Sequence, residues 1–547
     1  MQYLSLKPAQ QAHTSHSGFA RYSIPVLLSP RQGVRQNLRI SDMERKKMKT
    51  LCGTIIAAAV AIATAAHGGG AISAAYNGRE VALEDCRISA MPFNRVWTGK
   101  QRTIDQSRLA KFASFDLVKP GVLEIDGVGA DIPARLYPFS ESNRLVRTER
   151  GLALKLDRPA QYVLDFGDAL PPLHVFADKP FTIERRPDDI WYGPGEHHAG
   201  IISPTNGQRV VIERGAVVHG ELFLCGVTNV AVVGRGILDC STFERADARA
   251  QEFRASHGLP PVDTEFACHS CVVYASENVL IEGIVIRDTP FWSLIVRSGS
   301  RHVTIDGVKV VGQWRYNSDG IDISASSDVK VKDCFVRSFD DCLVVLGAYL
   351  DTRSYVAEDI IFENCRLWCD WGASFKLWSP PYTNTFRNIE VRDCKLLCMK
   401  DTPLQVKDTC CSADTRIEDI RFSNIEFDLD GLPLKCKFQK TDDMRYPGDS
   451  TVAELTVAYV GCQHPREDHG NQKFVEVADT SGYRSLIRSV VFENFTFPGF
   501  TPPLVAELFT TVSGQEVRDI EFRSVPPVSI RRCGNIGSVK TDGKEVK

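Results

Sequence analysis

The feature that most constrains the fold of this chain is a short strand pattern that recurs ten times from about residue 206 onward. Each copy starts with a polar residue, continues as apolar-x-apolar and ends near a second apolar pair. The copies begin at Arg209, Asn229, Asn278, His302, Asp328, Asp359, Asn388, Asp419, Ser489 and Asp519. Alternation with period 2 is typical of a strand with one buried face. The first residues of successive copies are 20, 49, 24, 26, 31, 29, 31, 70 and 30 positions apart. A period of 20–30 residues without helical segments predicts stacked strand coils, a β-solenoid.

The domain organisation follows from where the pattern is present. We expect the coils to occupy residues 196–540, and the intervals of 49 and 70 residues to contain one coil or more plus insertions near 240–275 and 436–485. The second insertion is polar and is predicted to be a long loop on one flank. Residues 76–195 lack the pattern but contain Pro-bounded short strands such as Val122–Ile125 and Tyr162–Asp165. They predict a small all-β N-terminal domain that ends near Pro194. A β-sandwich is the alternative fold, but it predicts strands every 8–12 residues without the longer register.

The N-terminal 75 residues have the features of an export signal. Basic residues around Arg45–Lys49 precede the mostly apolar run Leu51–Ala66, and small-residue cleavage sites follow at Ala63–Ala65 and Ser73–Ala75. The run is shorter than the 18 or more residues that a transmembrane helix needs. We therefore predict a signal peptide within 43–75 and a secreted protein, extracellular or periplasmic, with no membrane contact after cleavage. Residues 1–42 are interpreted as a start-site artefact or a disordered leader.

Net charge and cysteine content limit the classes of partner. The chain has 65 basic and 68 acidic residues in 547, so nothing global points to nucleic acid. A chain of this length buries enough surface to fold without a disulfide or a metal. We expect a monomer. Cys334, Cys365 and Cys394 occupy equivalent places in three successive copies and predict a vertical ladder, either of buried free thiols, which we favour, or of disulfides. For Cys268 and Cys271 we favour a loop disulfide or free thiols over zinc, because no second pair lies at metal spacing.

Two acidic motifs contain the candidate catalytic residues. Asn317-Ser318-Asp319-Gly320-Ile321-Asp322 is followed by Ser338-Phe339-Asp340-Asp341-Cys342, and Asp319 and Asp340 are 21 residues apart, close to one coil. Stacked carboxylates repel, which raises the pKa of at least one of them. A protonated carboxyl beside an ionised one is what glycosidic cleavage requires. The alternative is that these aspartates fill turn positions, a role expected of Asp328, Asp333 and Asp359.

The same motifs resemble the polygalacturonase-type glycoside hydrolases, family 28. The resemblance covers about residues 196–430 and rests on Val311–Trp314, Asn317–Gly320 and Phe339–Cys342. It implies a right-handed parallel β-helix and hydrolysis with inversion of the anomeric centre. It also implies a general acid at Asp340, activation of water by Asp319 and Asp341, and support from Asn317 and Asp322.

Two departures from that family put the substrate in question. Gly372–Ser374 stands where the family has Gly-His-Gly, and Gln405–Lys407 stands where it has Arg-x-Lys. Loss of a guanidinium weakens bidentate binding of a carboxylate. The Gly312–Trp314 and Trp368–Trp378 segments look more like the dextranase and isopullulanase branch, family 49. The predicted substrate-binding residues are Lys376, Gln405, Lys407, Trp314 and Trp378. Core packing is the alternative for the tryptophans, including Trp368 and Trp371, and solvent exposure is the alternative for the lysines.

The sequence thus predicts a secreted glycoside hydrolase acting on a polysaccharide or oligosaccharide, with a pectic substrate slightly favoured over an α-glucan. The acid–base mechanism implies neither a metal nor an organic cofactor. A polysaccharide lyase on the same fold would need a Brønsted base and commonly a cation. A β-helix that only binds carbohydrate or mediates adhesion would keep the coils but would not depend on Asp340.

Overall fold

The computed structural model describes residues 72–90, 102–259, 268–347, 356–379, 385–409, 414–429, 435–436, 450–451, 454–468 and 474–546. The regular secondary structure of these residues is almost all strand; the α-helix among them is Ala248–Ser256, and Ile104–Gln106 and Phe139–Arg144 are short 3-10 turns. None of the described helices has the length and apolar character needed to cross a bilayer. The leader and most of the predicted signal peptide lie outside the described residues.

Two five-stranded sheets precede the coils. In spatial order the first consists of Arg79–Val81, Ser73–Tyr76, Gly121–Asp126, Gly151–Leu156 and Leu145–Arg147. The second consists of Leu83–Ser89, Ser107–Asp116, Leu173–Asp178, Ala160–Asp165 and Arg135–Tyr137. Apolar residues of both sheets, such as Leu123, Leu154 and Val175, form one buried cluster. The all-β N-terminal part predicted from the sequence is therefore present, and it begins with a strand that contains Ser73–Ala75, the second predicted cleavage site.

The remaining strands form three long parallel faces. Face 1 is a sheet of 13 strands, of which the last two pair antiparallel. Its strands are Ile190–Tyr192, Arg209–Ile212, Thr228–Gly234, Glu277–Glu282, Arg301–Asp306, Ser327–Lys332, Val356–Glu363, Thr385–Arg392, Asp414–Ser423, Arg484–Glu493, Gln515–Arg523, Val539–Thr541 and Lys544–Glu545. All ten copies of the sequence pattern lie in this face.

Faces 2 and 3 belong to one sheet of 18 strands and share Gly195–Ile202 and Ala216–Cys225. Face 2 continues through Ile237–Asp239, Val285–Arg287, Lys309–Val311, Phe335–Ser338, Arg366–Cys369, Lys395–Cys398 and Glu426–Phe427. Face 3 continues through Cys271–Tyr274, Leu294–Arg297, Ile321–Ser324, Leu343–Leu346, Phe375–Ser379, Leu404–Asp408, Leu455–Cys462, Leu504–Phe509 and Val528–Cys533. Each coil passes through all three faces in turn, and the fold is the parallel β-helix that the sequence predicted.

The backbone conformation explains why a polar residue begins each copy of the pattern. Nine of the ten, for example Asn278, Asp328 and Asp359, have φ between 49° and 57°. Asn and Asp tolerate this left-handed conformation better than other non-glycine residues because their short side chains bond locally. Asp333 has the same conformation, with φ 56°. The turn role predicted for Asp333 is confirmed, because it lies between two strands. The same prediction is wrong for Asp328 and Asp359, which lie within the strands Ser327–Lys332 and Val356–Glu363.

The two long intervals each contain a single coil. Thr228–Gly234 pairs directly with Glu277–Glu282, and Asp414–Ser423 pairs directly with Arg484–Glu493. The first insertion carries the helix Ala248–Ser256, which apolar periodicity did not predict because the helix is polar on most of its surface. The second was predicted as a long loop, and that was wrong in part. It contains Leu455–Cys462, a regular strand of face 3.

The second N-terminal sheet packs on face 2. Phe112 and Phe176 of the sheet join Val311, Phe335 and Trp368 of the coils in one buried cluster. Ion pairs cross the same junction, including Arg366 with Glu141 at 2.9 Å. The first strand of the coils is Ile190–Tyr192. The coils therefore begin slightly before Pro194, near which the sequence analysis placed the end of the N-terminal domain.

The cysteine ladder is present inside the coils. Cys334, Cys365 and Cys394 are fully buried free thiols, and the Cys365 amide donates to Cys394 Sγ at 3.4 Å. Cys268 and Cys271 are likewise buried and not bonded to each other. Small buried thiols fit stacked positions where successive coils lie about 4.8 Å apart.

Two further short hairpins complete the described strands. They are Lys435–Cys436 with Ser450–Thr451, and Arg466–Asp468 with Phe474–Glu476. Both lie in the second insertion, beside Leu455–Cys462 of face 3. This part of the chain therefore combines a coil strand with local hairpins.

Candidate active site

The turns that join face 2 to face 3 bring four aspartates together. We call Asp319, Asp322, Asp340 and Asp341 the acidic cluster. The Gly320 amide donates to the Asp341 carbonyl at 2.9 Å, so the two motifs lie on adjacent coils. One carboxylate oxygen from each of Asp319, Asp340 and Asp341 lies within 4.8 Å of the others. The coil period therefore produces the juxtaposition that the 21-residue spacing indicated.

Asp341 is the member of the acidic cluster with charged and backbone donors. Its Oδ1 accepts from the Ala373 amide at 2.7 Å, and its Oδ2 accepts from Lys376 Nζ at 2.8 Å. Gly372 allows the next coil to pass this close, because a Cβ there would lie 2.6 Å from both the Asp341 amide nitrogen and its Oδ1. These two donors, one of them an ammonium, fix the position of the Asp341 carboxyl within the cluster.

Asp340 is held by weaker, neutral donors. Its Oδ1 accepts from the Asp341 amide at 3.1 Å, and its Oδ2 faces Asn317 Nδ2 at 3.4 Å. Its backbone carbonyl accepts from Ser338 Oγ at 2.6 Å, which fixes the turn. These contacts orient the carboxyl, and Lys376 attracts its charge.

The surroundings of Asp319 and Asp322 disfavour a negative charge on either carboxyl. Asp322 is fully buried, and neither of its carboxylate oxygens has a hydrogen-bond partner; Asp319 Oδ1 also lacks one. Burial raises the pKa of Asp319 well above its usual range, and repulsion from Asp340 raises it further. Burial and repulsion from Asp341 do the same to the pKa of Asp322. The cluster therefore retains at least one proton at a pH where isolated aspartates are ionised.

Lys376 is a cation placed against this cluster. Burial opposes its charge, but attraction to Asp341 and Asp340 outweighs burial and raises the pKa of the ammonium. It lies on face 3, in register with Val344 below and Gln405 above. Its side chain keeps 27% of its exposure, so the ammonium is not sealed from the surface.

The other predicted substrate-binding side chains lie around this point. Gln405 is buried and donates to the Thr402 carbonyl at 2.9 Å, whereas Lys407 is half-buried above the ring of Tyr459 at 4.6 Å. Trp378 is half-buried, with Lys376 Nζ 5.8 Å from its ring centre.

The remaining tryptophans are packed. Trp314 is 6% exposed, and its Nε1 donates to Asp288 at 3.0 Å. Trp368 contacts Tyr137 of the second N-terminal sheet, and Trp371 stacks on Phe339 at 5.3 Å. Burial agrees with the packing alternative for these three rings rather than with an open sugar platform.

A second buried group on the same side of the β-helix was not found from the sequence. Glu221, on the strand Ala216–Cys225, is fully buried and accepts from the His269 amide at 3.2 Å. Burial raises the pKa of Glu221 to about 8. Desolvation also lowers the pKa of His269 to about 3, which keeps that imidazole neutral. No motif surrounds Glu221, and its place in an otherwise apolar run, Leu222–Leu224, was the one signal in the sequence.

Glu221 makes folding stability depend on pH. Because the pKa of Glu221 is about 8 in the folded chain and about 4.3 when unfolded, its contribution is complete below about pH 4 and is lost as the pH rises toward 8. We expect Glu221→Gln to melt at nearly the wild-type temperature at pH 5 and above it at pH 8. Calorimetry at both pH values measures this, and an equal difference at the two pH values would contradict it.

Comparison with known proteins identifies the region that carries the cluster. Residues 217–432 match Glycosyl hydrolases family 28. A dextranase from Arthrobacter sp. (strain CB-8) is 23% identical over 265 residues, which are 45% of this chain and 34% of that protein. Endopolygalacturonase A from Aspergillus niger is 25% identical over 185 residues, 32% of this chain and 47% of that protein. Among solved structures, Dex49A from Penicillium minioluteum aligns with 87% of this chain and 89% of its own at 11% identity and a TM-score of 0.45.

The chain spans between a third and a half of the length of these two curated relatives. The matched residues include the whole acidic cluster and Lys376. The comparisons confirm the resemblance that the aspartate motifs indicated: the β-helix of this chain is similar to the polygalacturonase-type glycosyl hydrolases of family 28 and, in sequence, to dextranases as well.

Proposed function

We propose that the protein hydrolyses a glycosidic bond in a polysaccharide or oligosaccharide. The observation that carries the proposal is the convergence of Asp319, Asp340 and Asp341 within 4.8 Å, inside the region that matches family 28. Such a cluster is costly for folding, because like charges are brought together away from water. General acid–base chemistry supplies a reason for it. The predicted signal peptide supports action outside the cytoplasm, and we propose a monomer.

We assign the general acid to Asp340. Burial and repulsion from Asp340 raise the pKa of Asp319, and we propose that Asp319 and Asp340 hold one proton between them. Asp340 then passes that proton to the leaving oxygen. Asp341, held by Lys376 and the Ala373 amide, accepts a proton from water.

The spacing suits a bound water. A water that makes two hydrogen bonds of about 2.8 Å at a tetrahedral angle bridges oxygens about 4.6 Å apart. The oxygens of Asp319 and Asp341 lie within 4.8 Å of each other, and we propose that one water bridges them. Attack by this water on the face opposite the leaving group gives inversion. A carboxylate that attacks the sugar directly gives retention instead.

For the substrate we favour a pectic chain of uronates over a neutral α-glucan. Lys376 and Lys407 lie on neighbouring coils of face 3, and ammonium groups attract carboxylates. The α-glucan alternative is supported by Ala373 and Gln405, which replace the imidazole and guanidinium of the pectic enzymes. The dextranase similarity points the same way.

The first test is sugar release from polygalacturonate, rhamnogalacturonan, dextran and pullulan. We expect cleavage of one substrate, with the first-formed anomer inverted when it is followed by NMR. Unsaturated products would identify a lyase instead. Binding without cleavage would favour a carbohydrate-binding or adhesion protein. Retention of the anomer would leave hydrolysis intact but would overturn the role of the bridging water.

A further inference from the structure

The turn that carries Asp319 is unusually long. Nine residues, 312–320, separate the strands Lys309–Val311 and Ile321–Ser324, whereas four residues, 339–342, separate the equivalent strands of the next coil. A long turn leaves backbone groups outside the strand ladders, and buried groups of this kind need partners. Two of its carbonyls, those of Trp314 and Tyr316, accept hydrogen bonds from arginines that lie outside the repeating coils.

Arg102 reaches this turn from the N-terminal part of the chain. It is 4% exposed, and its Nη1 donates to the Trp314 carbonyl at 2.6 Å. Gln106 and Ser89 hold the rest of the guanidinium. Its Cζ also lies 4.3 Å from the ring centre of Phe339, the residue immediately before Asp340.

Phe339 is therefore covered on two sides. Trp371 of the following coil stacks on the ring at 5.3 Å with an interplanar angle of 7°. Arg102 provides the second contact, and cation–π contacts of buried guanidinium groups are stronger than those at the surface. One arginine thus joins the turn of Asp319, through Trp314, to the turn of Asp340, through Phe339.

Arg245 reaches the same turn from the first insertion. It is 3% exposed, and it donates to the Tyr316 carbonyl at 2.8 Å and to Asn317 Oδ1 at 3.3 Å. Because a guanidinium only donates, Asn317 must present its oxygen to Arg245 and its amide nitrogen to Asp340. Asn317 Nδ2 lies 3.4 Å from Asp340 Oδ2.

We propose that Arg102 and Arg245 are positioning residues for the acidic cluster. Arg102 holds the two aspartate turns together, and Arg245 orients the Asn317 amide toward Asp340. The proposal rests on the hydrolase function proposed above. The N-terminal part of the chain and the first insertion would then help to position the catalytic carboxyl groups, and their role would not be limited to carbohydrate binding.

The test compares Arg102→Met and Arg245→Met with Arg235→Met. Arg235 is a matched control, because it is 8% exposed, lies 4.5 Å over Phe181 and donates to the Gly234 and Lys179 carbonyls. We expect kcat to fall about 10- to 100-fold in the first two variants with KM within about threefold, since small misplacements of catalytic groups have effects of this size. Arg235→Met should keep kcat within about twofold although its melting temperature falls.

A titration of the carboxyl groups tests the positioning role independently of catalytic turnover. Carbon-13 NMR of Asp-labelled protein follows the carboxyl groups whether or not a substrate is known, and their titration should shift in Arg102→Met and Arg245→Met but not in Arg235→Met. If the wild type cleaves no substrate but the carboxyl titrations shift, the positioning role of the two arginines is supported and the hydrolase function fails. The proposal is overturned if both arginine variants keep the wild-type kcat and the wild-type titration of the carboxyl groups. It is also overturned if Arg235→Met loses as much kcat as they do.

Two further variants keep the test valid if Arg102→Met does not fold. Arg102→Lys keeps the charge over Phe339 and one donor to Trp314, so it should recover part of the lost kcat. Phe339→Leu keeps Arg102 but removes the ring, and it should lower kcat in the same direction. Full activity in Phe339→Leu would contradict the link between the two turns.

Discussion

An Asp340→Asn variant is expected to lose about 10²- to 10⁴-fold in kcat while keeping its fold, because an amide cannot protonate the leaving oxygen. The new amide oxygen can accept from the Asp341 amide nitrogen, which lies 3.1 Å from Oδ1 in the wild type, but the new amide nitrogen then faces Asn317 Nδ2 and that hydrogen bond is lost. Removing one negative charge from the acidic cluster relieves repulsion on Asp319, which offsets this loss. The melting temperature should therefore stay close to that of the wild type. The measurement is kcat on the substrate found in the panel, together with calorimetry.

Asp359→Asn is the matched control for this change. Asp359 lies within a face 1 strand with a left-handed φ of 54°, and Asn388 occupies the same place one coil later with φ 53°. Its replacement should change kcat by less than about twofold. A substrate whose leaving group needs no proton should restore part of the activity of Asp340→Asn. More than a tenth of wild-type kcat in Asp340→Asn on the natural substrate would show that another group is the acid.

The regular part of the fold was predictable because one physical requirement repeats. Most strands of face 1 have one buried side, so apolar residues alternate, and a left-handed position near the start of the strand favours Asn or Asp. Faces 2 and 3 contain strands that are buried on both sides, such as Leu343–Leu346, and these do not alternate. Leu455–Cys462 was assigned to a loop because the segment around it is polar and lacks the pattern.

The acidic cluster was predictable only in part. A spacing of one coil places Asp319 beside Asp340, and that follows from the repeat alone. The contact between Lys376 and Asp341 spans 35 residues and depends on which way a face 3 side chain points. Whether a tryptophan is open or packed depends on neighbours as distant in sequence as Tyr137 is from Trp368. Arg102 and Phe339 are 237 residues apart, and no local pattern links them.

Replacing Lys376 by Met is expected to move the alkaline limb of the pH–rate profile upward by about one pH unit and to lower kcat. Lys376 lowers the pKa of both Asp319 and Asp322, so its removal raises the pKa of both groups further. The acidic cluster then keeps its proton to a higher pH, and the alkaline limb, where that proton is lost, moves to higher pH. A shift of one unit corresponds to about 1.4 kcal/mol, which is modest for a charge this close.

Two further variants distinguish an effect of Lys376 on the carboxyl groups from an effect on substrate binding. Lys376→Arg keeps the positive charge, so its profile should stay within a few tenths of a unit of the wild type. Lys407→Met removes a half-buried lysine on the next coil, 4.6 Å above the Tyr459 ring and away from Asp341, so it should raise KM without moving either limb. If Lys376→Met raises KM alone, or moves the profile to lower pH, Lys376 acts on the substrate and not on the carboxyl groups. In that case Asp341 would depend on the Ala373 amide alone to remain the base.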